Sequence, residues 1–149
     1  MTVPFDPAAL DPEEFGERRA TLSMDHETAI EHVRTVCTEE GFGVPVEFSP
    51  SELLNEKVDA DRDPYYVLGA CNPAIADRAL SATDGRIGAL FPCNMVIREI
   101  EPGKQLVYHI SIMKIARLLG LDADEEEMEA IVAETGRLAE TVYDRLDAE

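Results

Sequence analysis

The chain has 149 residues, with 31 Asp or Glu against 13 Lys or Arg, a formal charge of −18, and 45% hydrophobic residues. This matches roughly one domain of about 150 residues with enough apolar material for a core, which excludes wholesale disorder. No apolar run approaches the ~20 residues of a membrane span, the start shows no charged-then-apolar leader, and basic residues are not clustered as nucleic acid would require. We therefore expect a cytoplasmic protein with no membrane and no nucleic acid among its partners.

Residues 1–17 carry Pro4, Pro7 and Pro12 with five acids and little periodicity, which predicts an extended or disordered arm ahead of a single domain over 18–149. Residues 19–23 read as a first strand. From Asp25, a helix N-cap, apolar positions Ala29, Ile30, Val33, Val36 and Cys37 recur at helical spacing until Gly41 and Gly43. His26 and His32 fall on this helix and read as exposed. Val44 to Phe48 reads as a second strand, and Ser49-Pro50-Ser51-Glu52 caps a short helix over about 50–57.

After an acidic loop, Tyr65 to Cys71 is a strand rich in aromatic and apolar residues, and Asn72-Pro73 caps a helix with Ile75, Ala76, Ala79 and Leu80 on one stripe. Asp84-Gly85 turns the chain. Residues 89–100 are mainly apolar, with Pro92 marking where a regular strand can begin. Pro102-Gly103 makes a turn into a strand at about 105–110. Two helices close the chain over 111–147. The first carries Ile112, Ile115, Ala116 and Leu119, and the second is capped by Asp122 with Glu125 and striped by Met128, Ile131, Val132, Thr135, Leu138 and Val142. This order is α+β, an antiparallel sheet with helices on one face.

The basic residues are 10 Arg and only three Lys (Lys57, Lys104 and Lys114), while acids run along the whole chain. Charge spread in this way, instead of gathered into a tail for a basic partner, predicts a salt-adapted organism, because molar salt screens the self-repulsion.

Several chemical motifs fail on inspection. Asp59, Asp61 and Asp63 begin like a calcium loop, but Pro64 stands at the glycine position and Ala70 at the closing glutamate. Asp122, Asp124 and Glu126 fail similarly at Glu127. Gly41-Phe42-Gly43 follows a helix and is too short for a dinucleotide loop. Three cysteines at wide spacing, with no Cys-x-x-Cys, argue against a disulfide framework, a zinc ribbon or a thioredoxin-type site.

Two matched tripeptides remain, Cys71-Asn72-Pro73 and Pro92-Cys93-Asn94. Cys71 ends a strand just before a helix N-terminus, where partial positive charge favours a thiolate or another anion. Cys93 opens a strand, with Met95 and Ile97 on its own face by alternation. A helical crossover between them can return the chain to the same end of the sheet, which would set both cysteines beside a small pocket with Asn72 and Asn94 as polar neighbours. As plain packing, both are small buried hydrophobes, and Cys37, on the helical stripe, reads as core alone.

The run from Tyr66 to Leu80 (YVLGACNPAIADRAL) and the run Leu90 to Ile97 (LFPCNMVI) together resemble the family called domain of unknown function 302, over about residues 20–112. The resemblance implies a compact α+β fold similar to that of the TATA-binding protein, ordered strand, helix, four strands and helix, often as a homodimer. It implies no established activity. Three functions then compete. The first is a binding module holding a small ligand of unknown identity, or a soft metal such as copper or zinc, near Cys71 and Cys93, with Asn72, Asn94 and His109 as further candidates. The second is a thiol-based enzyme or redox sensor, for which His109 is the available base. The third is a protein-interaction domain with no small-molecule site.

Overall fold

The computed structural model describes residues 3–147. Five strands, β1 (Arg18–Leu22), β2 (Gly43–Phe48), β3 (Tyr65–Cys71), β4 (Cys93–Glu101) and β5 (Lys104–His109), form one antiparallel sheet in the order β1-β5-β4-β3-β2. Five helices accompany them: α1 (His26–Glu39), α2 (Pro50–Val58), α3 (Pro73–Ala82), α4 (Ile112–Leu118) and α5 (Glu125–Asp147). The α+β class predicted from the sequence is the observed one.

Local chemistry sets most boundaries. The carboxylate of Asp25 accepts from the Thr28 amide, the Ser49 hydroxyl from the Glu52 amide, and the Asn72 side chain from the Ile75 amide. Each satisfies a backbone donor that a helix start leaves open. The cap of α5 differs from the expectation: Asp124, not Asp122, accepts from the Glu127 amide, while Asp122 lies 3.9 Å from Arg117. The helix starts two residues later than a cap at Asp122 would allow. Residues 86–90 form a 3-10 turn where no element was expected, and β4 begins at Cys93, next to the Pro92 expected to mark its start and just after a cis Phe91–Pro92 bond. Within the expected arm at 1–17, the described residues include two short 3-10 turns, Pro7–Ala9 and Pro12–Phe15, and the Phe15 carbonyl accepts from the Ser111 amide.

Cross-strand partners share a face, so the register sorts the sheet into rows. Tyr66, Ile97, Val107 and Ala20 form one row, and Leu68 and Met95 another. Both rows face the helices. They pack with Ala29, Ile30, Val33, Val36 and Cys37 of α1 and with Val142, Tyr143 and Leu146 of α5. A second cluster joins α3, α4 and the first half of α5 through Ile75, Ala79, Ile87, Met113, Met128 and Ile131. Helix α5 therefore spans both clusters and covers the sheet of its own chain. The opposite row, Phe48, Val67, Val96, Tyr108 and Arg19, faces away, with Phe48 53% and Val46 56% exposed.

The expectation that His26 and His32 are exposed changes here, because both are half-buried. His26 is half-buried, and its Nδ1 lies 2.8 Å from Oε1 of Gln105, a glutamine with 0% exposure whose amide also donates to the Met24 carbonyl. A buried amide needs such partners, and His26 supplies one.

Candidate functional site

Cys93 sits at the meeting point of two hollows. The first, of about 70 Å³, lies between the helix-facing side of the sheet and helices α4 and α5. Its apolar wall includes Met95, Met113, Val132 and Val142, and its polar groups include Arg18, His109, Lys114 and Tyr143. The second, of about 190 Å³, lies at the sheet's end and is lined by Cys71, Asn72, Ile75, Phe91 and Pro92 among others. Phe42, Ala70, Cys93, Met113 and Thr135 line both, so the two adjoin.

The sequence builds this corner in identifiable steps. In the β3–β4 ladder Cys93 is opposite Ala70, while Cys71 is opposite Gly43 on β2. Alternation points Cys93 toward the helices and Cys71 to the other side at the same end. Gly69 makes the approach of Pro92 possible: a Cβ there would lie 2.6 Å from Pro92 Cγ and 2.7 Å from Val46 Cγ2. No larger residue fits without displacing both.

Burial favours the neutral forms of Cys93, His109 and Tyr143. Burial pushes the Cys93 thiol up to about 11, and the neighbouring Cys71 sulfur adds to the shift. Cys37 is raised to about 11 by burial alone. Loss of solvent lowers the His109 pKa from 6.5, only partly opposed by a hydrogen bond, and the Arg18 charge lowers it further. That bond runs from His109 Nδ1 to the Asn94 carbonyl at 3.0 Å. A carbonyl only accepts, so Nδ1 carries the proton and Nε2 keeps the lone pair. Tyr143, raised far above its ordinary range by burial, directs its hydroxyl to Met95 Sδ at 4.0 Å.

Cys71, Asn72 and Cys93 thus share the hollow at the sheet's end. Asn72 is there also as the cap of α3. His109 and Cys93 meet in the other hollow, although nothing in their sequence spacing pairs them. Asn94 lines neither hollow, although its backbone carbonyl accepts from His109. Arg18, Lys114 and Gly136 were not legible as site residues. The one available signal was a glycine inside the long apolar stripe of the last helix. Among the described residues, no three His, Cys, Asp or Glu cluster in a way that could hold a metal ion, and no helix is long and apolar enough to cross a membrane.

Residues 18–147 match the family model of the domain of unknown function DUF302. The chain belongs to that family. The match runs past the 20–112 of the sequence resemblance and takes in α4 and α5, so the helices that wall the first hollow are part of the DUF302 domain. A similar solved structure is an uncharacterized conserved DUF302 protein from Bacillus stearothermophilus, 26% identical, with a TM-score of 0.74, over 87% of this chain and 97% of that one. No curated protein matches the chain.

Proposed function

We propose that this DUF302 protein is a small-ligand-binding module whose ligand occupies the adjoining hollows around Cys93. The carrying observation is their junction: one mainly apolar space, with a few convergent polar groups, walled by residues of all five strands and of helices α1, α3, α4 and α5. Ligand sites in proteins commonly have this character. An apolar cavity of about 150 Å³ holds benzene, so the space suits one ring or a short chain rather than a nucleotide-sized cofactor.

Copper or zinc on Cys71 and Cys93 has less support. Burial holds Cys93 as a thiol, and Arg18 and Lys114 bring positive charge to the same space. The same raised thiol weighs against a thiol-based enzyme or redox sensor, which needs the thiolate near neutral pH. A cytoplasmic location belongs to the proposal, supported by three free cysteines, which suit a reducing compartment. So does adaptation to high salt, supported by the charge of −18.

A homodimer is also part of the proposal. The last helix offers no support for it, because α5 covers its own sheet. The support lies on the opposite face, where Val46 and Phe48 are exposed on the edge strand β2 next to Val67 and Val96. Light scattering in high salt checks it, and a monomer mass at tens of micromolar removes it.

The binding reading is tested with hexanamide, a neutral short-chain probe, by ligand-observed NMR on wild type and Gly136→Leu. A Cβ at Gly136 meets nothing within 4 Å, so a leucine can grow into the first hollow. Saturable binding that Gly136→Leu abolishes supports the reading. Binding unaffected by that substitution places the probe elsewhere and defeats it.

A further inference from the structure

The arginines of this protein divide unevenly. Four are half-buried: Arg18, Arg34, Arg78 and Arg145. Arg34 pairs with Glu31 and Glu47, Arg78 with Glu127 and Glu134, and Arg145 with Glu39 and Glu40. Each of these three thus engages two carboxylates. Among the described residues Arg18 engages none, and its one side-chain hydrogen bond there is from Nη2 to the Gly136 carbonyl at 3.2 Å. The lysines divide in the same way. Lys57 and Lys104 lie within 4 Å of a glutamate, whereas Lys114, also half-buried, has no carboxylate partner among the described residues.

Arg18 and Lys114 line the same hollow. In a chain with 31 acidic residues, no described Asp or Glu lines that hollow with them. The Arg18 charge is felt by His109 and Tyr143, both in the hollow's wall. Removing a guanidinium from water without a counter-charge is unfavourable, and among the described residues only one of its five N–H donors has a protein partner. Elsewhere in this fold a half-buried arginine is neutralised by two glutamates. Here no described residue of the chain supplies the complementary group.

We infer that the hollow takes a small organic carboxylate, its anionic head held by Arg18 and Lys114 and its short apolar body lying against Met95, Met113 and Val142 toward Cys93. The guanidinium fork matches a carboxylate in two parallel hydrogen bonds, and the ammonium of Lys114 adds a point charge. The inference rests on the binding function proposed above and names the chemical class of its ligand.

The test compares hexanoate with hexanamide, which share a chain and differ in charge, in buffered KCl by ligand-observed NMR. Wild type is expected to bind hexanoate about tenfold or more tightly than hexanamide, the order expected for a charge-assisted pair. Arg18→Gln and Lys114→Gln should each reduce that ratio, and Arg18→Lys, which keeps the charge but not the fork, should lose less of it than Arg18→Gln. Arg98→Gln makes the same charge change on an exposed residue away from the hollow and should leave the ratio unchanged. Lys114→Gln answers the question by itself if Arg18→Gln does not fold. A wild-type ratio near one, with hexanamide still bound, overturns the carboxylate inference and leaves the binding function standing. An equal loss in Arg98→Gln assigns the preference to overall charge and also overturns it. If neither probe binds, the binding function fails, and this inference with it.

Discussion

Arg18, the first residue of β1, donates from its guanidinium to the carbonyl of Gly136 in the middle of α5, 118 positions later and 3.2 Å away. The contact ties the first strand to the last helix, and both residues line the first hollow. Gly136 is otherwise a liability, because glycine inside a helix loses more backbone freedom on folding than alanine does. A Cβ there would meet nothing within 4 Å, so sterics do not require the glycine. Gly136→Ala should therefore stabilise the protein by about 0.5–1 kcal/mol, read as a higher urea midpoint at unchanged slope. A lower midpoint would mean that the backbone freedom of Gly136 is itself needed for the Arg18 contact.

His109 links stability to pH. Its folded pKa is lowered from 6.5, chiefly by loss of solvent, so the unfolded chain binds the proton more readily than the folded one. The neutral ring is compatible with the fold above that value, and stability is lost as pH falls below about 6.5. His109→Gln removes this titration. Thermal melts from pH 8 to pH 5 should fall more steeply for wild type than for the variant, and parallel profiles would remove His109 as the cause.

The Cys93 thiol, raised to about 11, gives a thiolate fraction of about one in a thousand at pH 8. Iodoacetamide should therefore modify Cys93 slowly, with a rate rising about tenfold per pH unit between 7 and 9. Bound hexanoate should slow the reaction further, since Cys93 walls the hollow it would fill. Mass spectrometry of the peptide containing Cys93 reads both effects. Fast modification at pH 7 would contradict the buried thiol and reopen the thiol-based alternatives.

What the sequence shows of this site depends on how far apart its parts are. Asn72 is legible because a cap acts over three residues, and its contact with the Ile75 amide is local. The inward face of β4 follows from alternation once Cys93 is taken as its start. The turn at 86–90 is hidden, because its apolar residues Ile87 and Leu90 fit a strand as well as a 3-10 turn. The cap at Asp124 is lost among neighbouring acids that all look able to cap. The convergence of Arg18, His109 and Lys114 is not legible at all. It depends on β1 pairing with β5, which sets Arg18 opposite His109, and on α4 following at once from β5. No local rule carries that pairing.

Salt should act on this fold in two opposed ways. An excess of 18 negative charges repels itself in dilute buffer, and added KCl screens the repulsion. The same screening weakens the partly exposed ion pairs that hold α5, namely Arg78 with Glu127 and Glu134, and Arg145 with Glu39 of α1 and the following Glu40. Such pairs contribute little individually, while the repulsion is summed over the whole surface. The first effect should win, so the melting temperature should rise from dilute buffer to molar KCl. The Arg145→Ala variant separates the two terms. Its deficit against wild type should be largest in dilute buffer and shrink as KCl rises, while both proteins gain stability. A wild-type melting temperature that stays flat or falls with KCl would remove the salt-adapted reading of the composition.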